Sequence, residues 1–198
     1  RLARPELFPW MTVRIEGLEH LPAAGGAVLA PNHRSYLDPL LVALLAGRAR
    51  RPVRFLAKKE ITDIPVVGPV VKALGVIRVD RGSGSDQPLV EAAAALQAGE
   101  LIAVFPQGTI PRGPAFFQPT LSGRPGAIRL AASSGAPVVP VGIWGSERAW
   151  PRSSRYPYVL NLADPPEITV RVGEPWHPAG DDAGADGLAA LAHRKPQP

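Results

Sequence analysis

The chain contains no cysteine. That excludes disulfides, thiol nucleophiles and cysteine zinc sites, and it fits a cytoplasmic setting. No run reaches the ~18 apolar residues of a membrane span. The nearest, "IPVVGPVVKALGVI" at 64–77, is interrupted by Pro65, Gly68, Pro69 and Lys72. There is no signal-peptide pattern at the start, and a first residue of Arg1 instead of Met is expected of a trimmed or excised domain. Lysine is scarce: Lys58, Lys59, Lys72 and Lys195 are the only lysines among 22 basic residues, and the rest are arginine. No RNP-type aromatic signature, zinc knuckle or recognition-helix pattern accompanies these charges, so nucleic acid is not an expected partner.

What is present is a globular composition. The 198 residues are 45% hydrophobic and 20% charged, enough for one core and short for two domains. A single domain over 1–198 is expected, with its core at about 12–176 and a polar tail at 178–198. The net charge of +5 is partly coding bias, given the excess of Arg, Ala, Gly and Pro, and partly suited to anions such as phosphate, CoA or acidic lipid.

Apolar and alternating runs predict strands over 12–17, 26–32, 53–58, 76–81, 101–106, 137–145 and 168–175. Helices are expected between them. One spans 38–47, capped by Asp38, with Pro39 in its first turn and Gly47 as its end. Others span 65–75, 85–99 and 124–135, with a short one at 186–193. The 85–99 helix should have a Ser85/Asp86 cap and an apolar face of Leu89, Ala93 and Leu96. Short strands alternating with helices, several apolar throughout, indicate an α/β fold with a mixed, largely parallel sheet flanked by helices. Sites in such sheets gather at the carboxyl ends of strands. Asn32-His33, Lys58, Arg81 and Gln107-Gly108 each close a predicted strand.

Of the four histidines, His20 lies in a turn, His177 follows the last strand and His193 is in the tail. Only His33, in "PNHRSYLDP", has a strand before it, a helix after it and an acid nearby. Asp38, five residues on, could hold one imidazole nitrogen and leave the other as a base. A capping Asp beside a structural His satisfies the same spacing. No G-x-S-x-G elbow is present, and Ser35, Ser122 and Ser133 sit in no recognisable one. A hydroxyl or amine of the substrate is then the expected nucleophile. No metal site is expected, because one His and one Asp are too few ligands.

"NHRSYLD" resembles the first motif, NHx4D, of the glycerolipid acyltransferases, the lysophosphatidic acid acyltransferase (PlsC-like) family. "GVIRVDRG" at 75–82 is similar to that family's second motif, with Arg81 as its closing Arg, and "VFPQGTI" to its third, FPEGTR. "PVVPVGI" at 137–143 is similar to the fourth, and "FLAKKEI" at 55–61 to a stretch with a phosphate-side Lys, here Lys58. The motifs occur in the family's order, and the resemblance spans roughly residues 12–176. The resemblance implies a glycerol-3-phosphate acyltransferase-like fold and acyl transfer in phospholipid biosynthesis. His33 would be the base and Asp38 its orienting acid. The donor would be acyl-CoA or acyl-carrier protein, with no further cofactor, and the acceptor a lysophospholipid-like or other phosphorylated lipid or polyol. Asn32, Lys58, Arg81, Gln107, Gly108, Thr109 and Arg112 would bind substrate, with backbone amides near the third motif facing the oxyanion. Peripheral attachment to the cytoplasmic face of the cell membrane is expected. A catalytically silent lipid- or anion-binding domain of the same fold is the alternative. The sequence departs from the third motif at two positions, where Gln107 and Ile110 replace Glu and Arg. Losing both members of a charge pair leaves no orphan charge.

Overall fold

Seven strands and five helices follow one another along the computed structural model, which describes residues 9–63, 67–80, 86–116 and 123–178. The strands are β1 (Thr12–Glu16), β2 (Ala27–Pro31), β3 (Val53–Lys58), β4 (Val76–Val79), β5 (Leu101–Val104), β6 (Val138–Trp144) and β7 (Glu167–Val172). The helices are α1 (Asp38–Arg48), α2 (Val67–Ala73), α3 (Gln87–Gln97), α4 (Gly126–Ser134) and the one-turn α5 (Ser146–Ala149). The strands form one sheet in the order β1-β7-β6-β2-β5-β3-β4. All pairings are parallel except β6 with β7, so β1 and β7 run against the other five. The expected α/β class with a mixed, largely parallel sheet is what the chain adopts.

The apolar strands are explained by cover on both faces. Every residue of β2 is buried. Ala27 and Leu29 join Phe55, Leu101, Ala103, Val139 and Val141 in a core against α1. Val28 and Ala30 turn the other way, joining Ile102, Val104 and Val138 in a second core beneath α3 and α4. Each fully buried Val or Leu contributes roughly 1.5–3 kcal/mol of hydrophobic stabilisation. The long amphipathic patterns are therefore on the helices, and the central strands carry none.

Three expectations need correction. Helix α1 does not end at Gly47 but runs to Arg48. Its left-handed closing residue is Arg50, at φ 54, and the next amide, Arg51 N–H, returns to Ala46 O at 2.9 Å. That bond satisfies an orphan carbonyl, so the chain accepts a non-glycine there. Asp38 does not cap its own helix: it is the first helical residue, after Leu37 at the N-cap. Helix α3 buries Ala92, Ala95 and Leu96, while Leu89 is exposed and Asp86 makes no side-chain cap bond. The alanines face the sheet because the backbones are close: a Cβ on Gly26 would lie 2.2 Å from Leu96 O. Ser85, Arg81, the start of the 64–77 stretch and the 186–193 helix lie outside the described residues.

With five strands parallel, the carboxyl ends of β2, β3, β4, β5 and β6 share one end of the sheet. The chain leaves β6 there through Gly145, at φ 88, where a Cβ would sit 2.4 Å from Glu167 O of β7. Glycine is required both for the left-handed backbone and for the close approach. Gly145→Ala is expected to cost about 2–4 kcal/mol. Thermal unfolding checks this, with a fall in Tm of roughly 5–15 °C for a chain of this size. An unchanged Tm would mean that the two backbones are not in contact.

Candidate active site

The turn between β2 and α1 carries His33, Arg34 and Ser35 over the end of the sheet. Its geometry is set by Asp38, whose side chain is fully buried. Asp38 Oδ2 accepts the backbone N–H of Arg34 at 2.6 Å and of Ser35 at 2.8 Å, and it pairs with His33 Nδ1 at 2.9 Å. Asp38 Oδ1 accepts the Ser146 hydroxyl at 2.6 Å. Four donors thus compensate the desolvation of one carboxylate, which unpaired would be very costly. The acid looks back into the preceding turn, so shaping that turn and orienting the ring are one act.

Nδ1–H bonded to a carboxylate leaves the lone pair of the imidazole on Nε2. The ring lies against Phe105, with centroids 4.4 Å apart and an interplanar angle of 34°. About a tenth of the side chain reaches solvent. The His33 ring is thus oriented at the strand ends, with Nε2 unbonded among the described residues.

The third-motif turn reaches the same place. Gln107 Oε1 accepts the backbone N–H of His33 at 2.5 Å. A glutamate could accept the same bond, so the neutral side chain keeps the connection and removes a charge. Gly108, at φ 66, donates its N–H to Phe105 O at 3.0 Å. That amide closes the turn. Thr109 is exposed, and its N–H has no partner among the described residues. Arg112 is also exposed. Ile110 is buried, 3% exposed, and its carbonyl accepts from Arg152 Nη1 at 2.5 Å. The cation beside this turn thus comes from the β6–β7 connection.

Asn32 clamps two strands together. Its Oδ1 accepts Ile143 N–H at 2.6 Å and its Nδ2 donates to Ile143 O at 2.9 Å. The side chain therefore continues the β2–β6 pairing one step past the backbone ladder. Lys58 closes β3, two strands from β2, which is about 10 Å at ordinary strand spacing. Arg81 lies outside the described residues. The serines described near the site are engaged in structural bonds. The Ser35 hydroxyl donates to Trp150 O at 2.5 Å and accepts Leu37 N–H, and the Ser133 hydroxyl donates to Leu130 O. Ser122 is outside the described residues. Among the described residues no group of three His, Asp or Glu side chains could hold a metal.

The end of β6 also reaches this turn. Besides Ser146 on Asp38, Glu147 Oε1 pairs with Arg34 Nη2 at 3.0 Å. The Arg34 guanidinium lies 4.3 Å from the Phe116 ring centroid and 4.5 Å from that of Trp144. Arg34 Nε and Glu147 Oε2 are buried without a partner among the described residues. The signal was available: Ser146-Glu147 follows a strand and a glycine, as the third-motif turn does. A cleft of about 420 Å³ lined by Glu16, His20, Arg171 and Glu174 lies on the β1–β7 edge, away from His33. His20 Nδ1 is engaged there with Val172 O at 3.0 Å, so that cleft brings together no comparable base.

Comparison with known proteins agrees with this geometry. The family model described as Acyltransferase matches residues 12–144. An uncharacterized protein of Mycobacterium leprae is 32% identical, the match covering 88% of this chain and 47% of that protein. A chloroplastic 1-acyl-sn-glycerol-3-phosphate acyltransferase of Arabidopsis thaliana is 30% identical over 86% of this chain and 45% of its own. The 1-acyl-sn-glycerol-3-phosphate acyltransferase of Bacillus subtilis is 26% identical over 84% and 75%. The chain spans about half the length of the first two. In fold it is similar to the crystal structure of the 1-acyl-sn-glycerophosphate acyltransferase PlsC of Thermotoga maritima, with a TM-score of 0.68, 24% identity, and coverage of 97% of this chain and 75% of that one.

The buried position of Ile110 generates a prediction. Ile110→Arg should lower stability by about 3–5 kcal/mol, because it buries a charge without a partner. Adding Gln107→Glu should recover part of the loss, with a coupling of ~0.5–3 kcal/mol in a double-mutant cycle on denaturant unfolding. Strict additivity would mean that the two positions do not interact.

Proposed function

The chain belongs to the acyltransferase family, and we propose that it moves a fatty acyl group from acyl-CoA or acyl-carrier protein to a hydroxyl of a phosphorylated lipid or polyol. The observation that carries this is the buried Asp38 carboxylate on His33 Nδ1, with Nε2 left free at the end of the sheet. The relatives named 1-acyl-sn-glycerol-3-phosphate acyltransferase support the acceptor class, a phosphorylated lipid with one acyl chain and a free hydroxyl.

In the proposed reaction, His33 Nε2 takes the proton of the acceptor hydroxyl as its oxygen bonds to the thioester carbonyl carbon. The tetrahedral oxyanion collapses, the carbon–sulfur bond breaks, and the leaving thiolate takes the proton from the imidazolium. Asp38 stabilises the imidazolium while it lasts and holds the ring in place. No enzyme-bound acyl group is needed, which suits a site whose nearby hydroxyls are committed to structure. The N–H of Thr109, without a partner among the described residues, is the amide of the third-motif turn proposed to face the oxyanion. Lys58, Arg81 and Arg112 are proposed to bind the acceptor's phosphate. The neutral Gln107 makes the acceptor pocket less acidic than a glutamate would, so the acceptor is proposed to differ from lysophosphatidic acid in its polar group. Among the described residues no helix is long and apolar enough to cross a membrane, and attachment to the cytoplasmic membrane face is proposed to be peripheral.

The rival proposal is a silent lipid-binding domain. Incubation with radiolabelled acyl-CoA and a panel of lysophospholipids, read by lipid mass spectrometry, separates the two, since only the enzyme yields a diacyl product. His33→Ala should then lower kcat by ~10²–10⁴ with the Tm nearly unchanged, as expected for loss of a general base. Near-normal turnover in that variant would end the proposed mechanism.

A further inference from the structure

The connection between β6 and β7 carries an apolar surface that the proposed chemistry does not use. Tyr156, Tyr158, Val159, Leu160 and Leu162 are all exposed, Leu160 at 89%, and Trp144 at the base of the loop is exposed as well. Among the described residues, the other large exposed apolar side chains are only Leu89 and Val90 on α3. The exposure does not come from a loop lacking internal structure. Tyr158 N–H bonds Ala149 O at 2.9 Å, Leu162 N–H bonds Leu160 O at 2.9 Å, Trp150 Nε1 donates to Ser154 O, and Asn161 Nδ2 donates to Asp164 O at 2.7 Å. The backbone holds these side chains outward. Five large apolar side chains exposed within seven residues of an internally bonded loop mark an interaction surface.

Position and charge point to the occupant. The loop leaves β6 at the carboxyl end of the parallel strands and returns to β7 beside the same point, where Trp144 pairs with Thr169. It therefore stands at the end of the sheet that holds His33. Arg148 and Arg155 are exposed, and Arg152 is half-buried. The segment's acids are Glu147, paired with Arg34, and Asp164. Tyr, Trp and Leu beside arginines suit the boundary between lipid headgroups and acyl chains, where rings sit at headgroup level and cations meet anionic lipid. We infer that the 156–162 loop, with Trp144 and the flanking arginines, is the surface by which this protein docks on an anionic bilayer, apolar tip inserted and site end facing the lipid. The inference rests on the proposed transfer to an amphiphilic acceptor and deepens it: the acceptor would reach the site from the membrane without crossing water.

The test uses the full chain with unilamellar vesicles, either pure phosphatidylcholine or containing about one third phosphatidylglycerol. The wild type should sediment with the anionic vesicles and much less with the neutral ones. Leu160→Asp with Leu162→Asp, at exposed positions whose loss opens no core, should reduce the bound fraction roughly tenfold. Arg148→Gln with Arg155→Gln should remove the preference for anionic vesicles. Equal sedimentation of the wild type and the double Asp variant would overturn the inference. So would a wild type left in the supernatant, or a wild-type dimer that the Asp substitutions dissociate, which would assign the patch to a second copy of the chain. Acylation of a short-chain, water-soluble form of whichever lysophospholipid the wild type acylates should be equal in the wild type and the Asp variant. Failure of the wild type to acylate any acceptor would count against the proposed function, while sedimentation alone judges the surface.

Discussion

One buried carboxylate organises this end of the molecule. Asp38 gathers two backbone amides of its own turn, the imidazole of His33 and the hydroxyl of Ser146, which is 108 positions away in the chain. Each donor is needed because the carboxylate is out of contact with water, and each bond fixes a different part of the structure. The amides shape the turn, the imidazole is oriented, and Ser146 ties α5 to the turn. Removing any donor would leave the others to carry the desolvation of the acid, so the turn, the base and the end of β6 stand or fall together.

The parallel sheet makes this gathering possible. Residues distant in sequence meet because five strands deliver their ends to one side. His33 is held from two directions: from β6 through Asn32 and Ile143, and from β5 through Gln107. These contacts go to backbone groups, which other residues at the same positions would also present. The replacement of Glu by Gln at 107 is compatible with an intact site because the bond it makes needs only an acceptor. Ile110 is compatible because its side chain is buried and a guanidinium, that of Arg152, bonds its carbonyl from the β6–β7 connection.

The strands were legible because burial on both faces gives continuous apolar runs, and the His33–Asp38 pair because both residues lie within one short motif. What escaped depended on approach between distant segments. The buried face of α3 is set by how closely Gly26 lets that helix reach the sheet, so alanines face inward where a helical wheel favours Leu89. The end of α1 moved past Gly47 because Arg50 tolerates a left-handed conformation once the following amide finds Ala46 O. The pairings of Ser146 with Asp38 and of Glu147 with Arg34 are not legible for a related reason: each joins residues more than a hundred positions apart. The same rule of strand ends, applied once more, points to them.

The central claim is that Asp38 holds His33 with its proton on Nδ1 and its lone pair on Nε2. Nitrogen NMR of the imidazole in the intact protein, above the pH at which the ring is charged, tests it most directly, because the two ring nitrogens differ widely in shift when one carries hydrogen. The account predicts a protonated Nδ1 and a bare Nε2 in the wild type, and a loss of that preference in Asp38→Asn. A wild-type ring protonated on Nε2 would contradict it, since the nitrogen assigned to take the acceptor's proton would already hold one.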